Sequence, residues 1–187
     1  MALGFSPATV IDVGVAYGTN ELYSRFPDAR HLLIEPLEEY EPHLKAICSQ
    51  YNLEYVLGAA GASPGNMETV VSPDLMASSL LWSEGEKRKV PIVTLDDICI
   101  RLNLTGSYLI KVDVQGAELY VLDGASAILE ETEVIILEVS FFRFSIGFPE
   151  FFNVIDYMKN GGSSITKYSA VITDHWIWRE PRSMSPL

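Results

Sequence analysis

Asp12, Glu35, Asp113 and Glu138 each stand at or beside the end of an apolar run, and two glycines follow the first of them. The first run reads Val10-Ile11-Asp12-Val13-Gly14-Val15-Ala16-Tyr17-Gly18-Thr19, a buried strand entering a tight turn and then a helix start. Gly14 and Gly18 let the backbone pass close to a ligand where a Cβ would clash. Their Gly-x-x-x-Gly spacing lacks the third glycine of a dinucleotide loop and the Gly-Lys-Ser/Thr ending of a phosphate loop, so the turn is not built for pyrophosphate. About twenty residues on, His31-Leu32-Leu33-Ile34-Glu35-Pro36 is a second apolar strand, and an acid at that place in a doubly wound sheet accepts hydrogen bonds from ribose hydroxyls. A glycine turn after strand one and Glu35 after strand two point together to an adenosine-type ligand at the carboxyl ends of the strands.

Positioning these residues requires a sheet. Strands are expected at Thr9 to Val13, His31 to Glu35, Leu53 to Leu57, Met67 to Val71, Val90 to Val93, Tyr108 to Asp113 and Val134 to Glu138. Helices are expected at Asn20 to Phe26, Glu38 to Gln50, Thr94 (as N-cap) to Leu102, Gln115 to near Gly124, Ser126 to Glu131 and Glu150 to Lys159. Ser164 to Tyr168 and His175 to Trp178 read as a terminal hairpin. Strands alternating with helices imply an α/β fold: a parallel sheet with crossover helices and an antiparallel finish, in a single domain over residues 1–187. Asp12, Asp113 and Glu138 then share the rim where the ligand cleft of such a sheet opens. Each either serves the cleft or caps the following helix through backbone N–H groups.

Composition narrows the partners. The 187 residues are 48% hydrophobic, enough for a core, with no apolar run long enough to span a bilayer and no secretory signal pattern. Net charge is −12, and the one cationic cluster, Lys87-Arg88-Lys89, reads as a solvated strand entrance, which argues against nucleic acid. Acidity is compatible with a cationic ligand. Cys48 and Cys99 lie far apart, suit a reducing, cytoplasmic setting, and form no metal set with the three histidines.

The chain resembles the FkbM-type methyltransferases, a branch of the S-adenosylmethionine-dependent Rossmann-like enzymes. Asp12-Val13-Gly14 with Gly18 looks like the first motif, Ile34-Glu35-Pro36 the second, and Ala60 with Gly65 the third-strand loop. Ser78-Ser79-Leu80, Thr94-Leu95-Asp96-Asp97, Lys111-Val112-Asp113 with Gly116-Ala117-Glu118, and Leu122 with Gly124 follow in the family's order, over about Thr9 to Trp178. Val15-Ala16 stands where the family usually has Ala-Asn, and Gln115 where it usually has Glu.

The resemblance implies a Rossmann-like three-layer sandwich whose mostly parallel sheet has seven strands. It implies S-adenosylmethionine as cofactor and methyl transfer to an oxygen, commonly a hydroxyl of a sugar, another small molecule or a glycan. The cofactor would be bordered by Asp12, Gly14, Gly18, Thr19, Glu35, Pro36, Ala60 and Asp113. In that assignment Glu35 holds the ribose, Gly14 and Gly18 pass under the methionine part, Asp12 orders the turn, and the segment near Ala60 borders the adenine. Asp113 lies near the methyl as base or orienting acceptor, and His175 is the rival base. Phe141, Phe142, Phe144 and Phe148, with Arg143, form either an acceptor lid or a core-facing loop. No required metal is expected. Two other readings share the strand-end acids: a scaffold or binding protein of the same fold, and a nicotinamide oxidoreductase.

Overall fold

The structure is a computed structural model that describes residues 5–71, 86–139, 149–160 and 168–173. Nine strands and six helices follow in order: β1 (Thr9–Val13), α1 (Asn20–Arg25), β2 (Arg30–Glu35), α2 (Glu41–Cys48), β3 (Leu53–Leu57), β4 (Ala59–Ala60), β5 (Gly65–Val71), β6 (Glu86–Val93), α3 (Leu95–Leu102), β7 (Tyr108–Val112), α4 (Glu118–Asp123), α5 (Ser126–Leu129), β8 (Thr132–Val139), α6 (Phe151–Asn160) and β9 (Tyr168–Thr173). A 3-10 turn, Glu38–Tyr40, leads into α2, so the helix expected from Glu38 is divided.

The central sheet has the order β3-β2-β1-β7-β8-β9, and every adjacent pair is parallel. Alternate residues of its strands feed two separate cores. Ile11, Val13, Leu32, Ile34, Ile110 and Val112 pack with the apolar sides of α3, α4, α5 and α6. Val10, Leu33 and Leu109 pack on the other face with Leu22 and Tyr23 of α1 and Leu44 and Ile47 of α2. Helices on both faces of a sheet make the three layers that the family resemblance implies.

Two details differ from the sequence reading. The central sheet has six described strands, and β5 and β6 lie outside it: they pair antiparallel with each other and, with β4, form a second small sheet. Their exposed Gly65–Glu68 half explains why: a strand inside the central sheet would be covered on both faces. The last described strand, β9, begins where the expected strand Ser164 to Tyr168 ends, and it runs parallel to β8. The expected hairpin partner, His175 to Trp178, lies outside the described residues.

The chain winds outward from β1 through β2 to β3, then returns to the other side of β1 as β7. That reversal between β1 and β7 is the switch point at which open α/β sheets form a cleft beyond the strand ends. The turn after β1 lies there, and Gly14 (φ +78°) and Gly18 (φ +95°) both adopt the left-handed region. A Cβ on Gly14 would stand far inside van der Waals contact with the Asp113 backbone carbonyl, and one on Gly18 would press on Ile47 Cδ1. The glycines are therefore required by the chain's own packing, where the sequence reading placed a ligand. Gly14→Ala should lower the thermal midpoint by many degrees or prevent folding, whereas Gly65→Ala, with nothing within 4 Å of the added methyl, should shift stability by less than ~0.5 kcal/mol. Parallel thermal melts check the contrast.

Candidate functional site

Asp12 is fully buried, and both its carboxylate oxygens are engaged. Tyr23 donates its hydroxyl to Oδ2 at 2.6 Å, and Lys111 donates to Oδ1 at 3.1 Å. Asp12 and Lys111 are register partners on β1 and β7, so their side chains leave the same face of the sheet. The Tyr23 oxygen in turn accepts the Thr19 N–H at 2.9 Å. The last residue of the glycine turn is thereby held by a helix residue that is anchored on the strand preceding the turn. Burial first, then the Asp12 charge and hydrogen bond, push the Tyr23 hydroxyl far above its usual pKa, so it stays a donor.

Glu35 closes the turn from the other side. Its Oε2 accepts the Ala16 N–H at 2.9 Å and its Oε1 the Leu37 N–H at 3.0 Å. Ala16 sits at φ +47°, a costly conformation for a residue with a Cβ, and the Glu35 clamp is what holds it there. Each carboxylate oxygen keeps acceptor capacity beyond these bonds. Burial raises the Glu35 pKa, the Ala16 and Leu37 N–H groups pull it down, and the Asp12 and Asp113 charges push it up again; the net shift is upward. Pro36 follows, half-buried, and Arg88 of β6 grips both oxygens of Glu39, at 2.6 and 2.8 Å, tying the small sheet to the 3-10 turn beside Glu35. The expected solvated entrance Lys87-Arg88-Lys89 thus includes one residue that braces this rim.

Asp113 follows β7 and is bonded through its backbone to β1, its N–H reaching the Val13 carbonyl at 2.9 Å. Its side chain, a quarter exposed, has Lys111 Nζ 3.8 Å from Oδ2 and accepts from Gln115 Nε2 at 3.1 Å on Oδ1. It does not cap α4, which starts at Glu118 after Ala117 with no side-chain cap, so the helix-capping alternative for Asp113 fails. Burial works against the Lys111 charge, but Asp12 and Asp113, with Glu138 adding to them, more than offset it and leave its pKa above the usual lysine value. Glu138 is the half-buried penultimate residue of β8. Three strand-end carboxylates, Asp12, Asp113 and Glu138, thus act on one ammonium that is already committed to the first two, and Glu35 feels the charges of Asp12 and Asp113.

Ala60 is buried in the core at the joint of the two sheets, paired with Val93. His175, Ser78-Ser79-Leu80, Phe141, Phe142, Phe144, Phe148 and Arg143 lie outside the described residues. Among the described residues no group of three or more His, Cys, Asp or Glu is placed to hold a metal ion, and no helix is long and apolar enough to cross a membrane.

The methyltransferase FkbM domain family matches residues 12–165. The chain belongs to this family. No curated protein and no solved structure matches it. The family match runs from Asp12, the anchor of the glycine turn, through Lys111 and Asp113, and so contains the whole rim described above.

Three residues of this FkbM domain that shape the rim carried no role in the sequence reading: Tyr23, Lys111 and Glu118. Lys111 had a usable signal, being the one cation within an otherwise apolar strand. Glu118 is buried at the start of α4 and accepts the Gly116 N–H at 2.9 Å, fixing the turn that carries Asp113. Burial is the main force that pushes its pKa up to about 7, with the Asp113 charge adding to it. A raised carboxyl pKa means that the native state holds its proton more tightly than the unfolded chain. Glu118 should therefore cost stability as pH rises from about 4.5 to about 7, by on the order of 3 kcal/mol. Glu118→Gln keeps an acceptor for Gly116 and should remove that part of the slope when denaturant midpoints are measured across the window. An unchanged slope would show that Glu118 does not titrate there.

Proposed function

We propose that the chain is an S-adenosylmethionine-dependent O-methyltransferase acting on a hydroxyl of a sugar, another small molecule or a glycan. The observation that supports this reading most is the charge at the switch point: Asp12, Asp113 and Glu138 act together on the single ammonium of Lys111, and Glu35 feels the charges of Asp12 and Asp113. A sulfonium and an α-amino group are cations and suit such a rim, whereas the pyrophosphate of a nicotinamide cofactor would be repelled by it. The described elements act as one domain, and the free thiols Cys48 and Cys99 suit a cytoplasmic setting.

The cofactor, when bound, supplies an activated methyl group on sulfur; the protein has to align, exclude water and manage one proton. Glu35, already fixed by two backbone N–H groups, turns its remaining acceptor capacity to the ribose hydroxyls, with Pro36 shaping the exit from β2. The turn from Gly14 to Thr19, ordered through Asp12 and Tyr23, runs beside the methionine part. The segment around Ala60 borders the adenine. Asp113, a quarter exposed where Asp12 and Glu35 are buried, orients the acceptor hydroxyl and takes its proton on a carboxylate oxygen. His175 is the alternative base.

Calorimetric titration with S-adenosylmethionine and, separately, with NAD tests the assignment. Binding of the first and not the second is expected, and the reverse would overturn it. Glu35→Ala, checked for fold by its melt, should weaken cofactor binding at least tenfold, since bonds to a charged acceptor are worth roughly 1.5–3 kcal/mol each. Asp113→Asn should lower methylation of a hydroxyl acceptor, found by a methyl-sized mass gain, ~10²–10⁴-fold with little change in cofactor affinity. Loss of turnover in His175→Ala with retention in Asp113→Asn would move the base to His175.

A further inference from the structure

Lys111 is a largely buried cation, its side chain 18% exposed, held between two strand ends. Its ammonium lies 3.1 Å from Asp12 Oδ1 and 3.8 Å from Asp113 Oδ2. Asp12 passes the connection on through Tyr23 to the Thr19 N–H. One polar path therefore joins the glycine turn to Asp113: Thr19, Tyr23, Asp12, Lys111, Asp113. On its far side Asp113 accepts from Gln115, whose backbone is at φ +52°. Each Asp113 oxygen thus has its own donor group, the Lys111 ammonium 3.8 Å from Oδ2 and the Gln115 amide 3.1 Å from Oδ1.

We propose that Lys111 is a positioning residue that fixes the orientation of the Asp113 carboxylate and, through Asp12 and Tyr23, couples that orientation to the order of the glycine turn. The inference rests on the reading that Asp113 lies beside the transferred methyl group. Asp12 balances the Lys111 charge, so the ammonium can be buried without being neutralised by either acid alone. Lys111 stays protonated and does not itself take a proton from the acceptor. An ordered turn fixes Tyr23, Tyr23 fixes Asp12, and Lys111 carries that order to the one acid of the path that is partly open to solvent.

The test uses the full chain with S-adenosylmethionine carrying 13C in the transferred methyl, read by methyl NMR, with affinity from calorimetry. Asp113→Asn sets the scale by displacing the bound methyl signal from its wild-type position. Lys111→Met should displace it in the same direction while binding the cofactor no more weakly than wild type. The double variant Lys111→Met/Asp113→Asn should sit where Asp113→Asn alone sits, because Lys111 acts through Asp113. Lys111→Arg, which keeps the charge, should return the signal to the wild-type position. Since Lys111→Met leaves Asp12 buried without its cation, Asp12→Asn/Lys111→Met removes both charges together and should give the same displacement as Lys111→Met.

The inference is overturned if either variant lacking the ammonium binds the cofactor with an undisplaced methyl signal, or if the two single displacements add in the double variant. An undisplaced signal in Asp113→Asn would remove both the placement of Asp113 and the inference built on it. Wild-type protein that binds no S-adenosylmethionine would remove the cofactor reading and, with it, this one.

Discussion

Asp12 has no contact with solvent, and an ion withdrawn from water costs several kcal/mol unless its partners replace the lost hydration. Tyr23 and Lys111 are those partners, and most of the local architecture follows from meeting that need. Tyr23 can reach Asp12 only if α1 starts where Thr19 places it, so the length of the glycine turn is set. Lys111 can reach Asp12 only if β7 pairs with β1 in its observed register, so the switch point is set as well. Removing one member of a buried charged pair costs roughly 3–5 kcal/mol, far more than the pair's net contribution, because the survivor is left uncompensated. The turn is held in place by bonds within the protein itself.

That bracing bears on chemistry. For the methyl transfer proposed above, an oxygen nucleophile, a methyl group and a sulfur would have to be brought into line, and well-oriented reactants in intramolecular models recover up to ~7–11 kcal/mol. A rim whose acids are already held by backbone N–H groups, an ammonium and an amide needs little reorganisation to provide such alignment. Glu35 shows the principle: the carboxylate proposed for the ribose is the one that holds Ala16 in its left-handed conformation. Its two duties reinforce each other, since a well-ordered carboxylate orders the turn across which the ligand would lie.

The strands β1, β2, β7 and β8 were legible because each is built on a short apolar run, and the acids Asp12, Glu35 and Asp113 stood out as charges where apolar residues should continue. The Thr94 cap was legible too, and the Thr94 side chain accepts the Asp97 N–H at 3.2 Å as such a cap should. The separate small sheet was not, because the β5 and β6 residues pair with one another across a long connection and strand propensity does not say which sheet a strand joins. Tyr23, Lys111 and Glu118 were missed for a related reason. Their importance lies in partners 11, 99 and 2 positions away, two of them brought into reach only by the fold. Gly14 stood out as a turn residue, but its packing partner did not: its missing Cβ makes room for the Asp113 carbonyl, a contact between the segments after β1 and β7 that no local pattern encodes.

The central claim is that the acidic rim at the β1–β7 switch point receives an adenosine-bearing cation, with Glu35 at the ribose and Asp113 at the methyl. A crystal structure of the complex with S-adenosylmethionine tests it most directly. The account predicts both ribose hydroxyls within hydrogen-bonding distance of Glu35, the turn from Gly14 to Thr19 unchanged, and the methyl group facing the Asp113 carboxylate. A cofactor bound elsewhere on the protein, or one whose ribose lies away from Glu35 with its methyl group turned from Asp113, would contradict it.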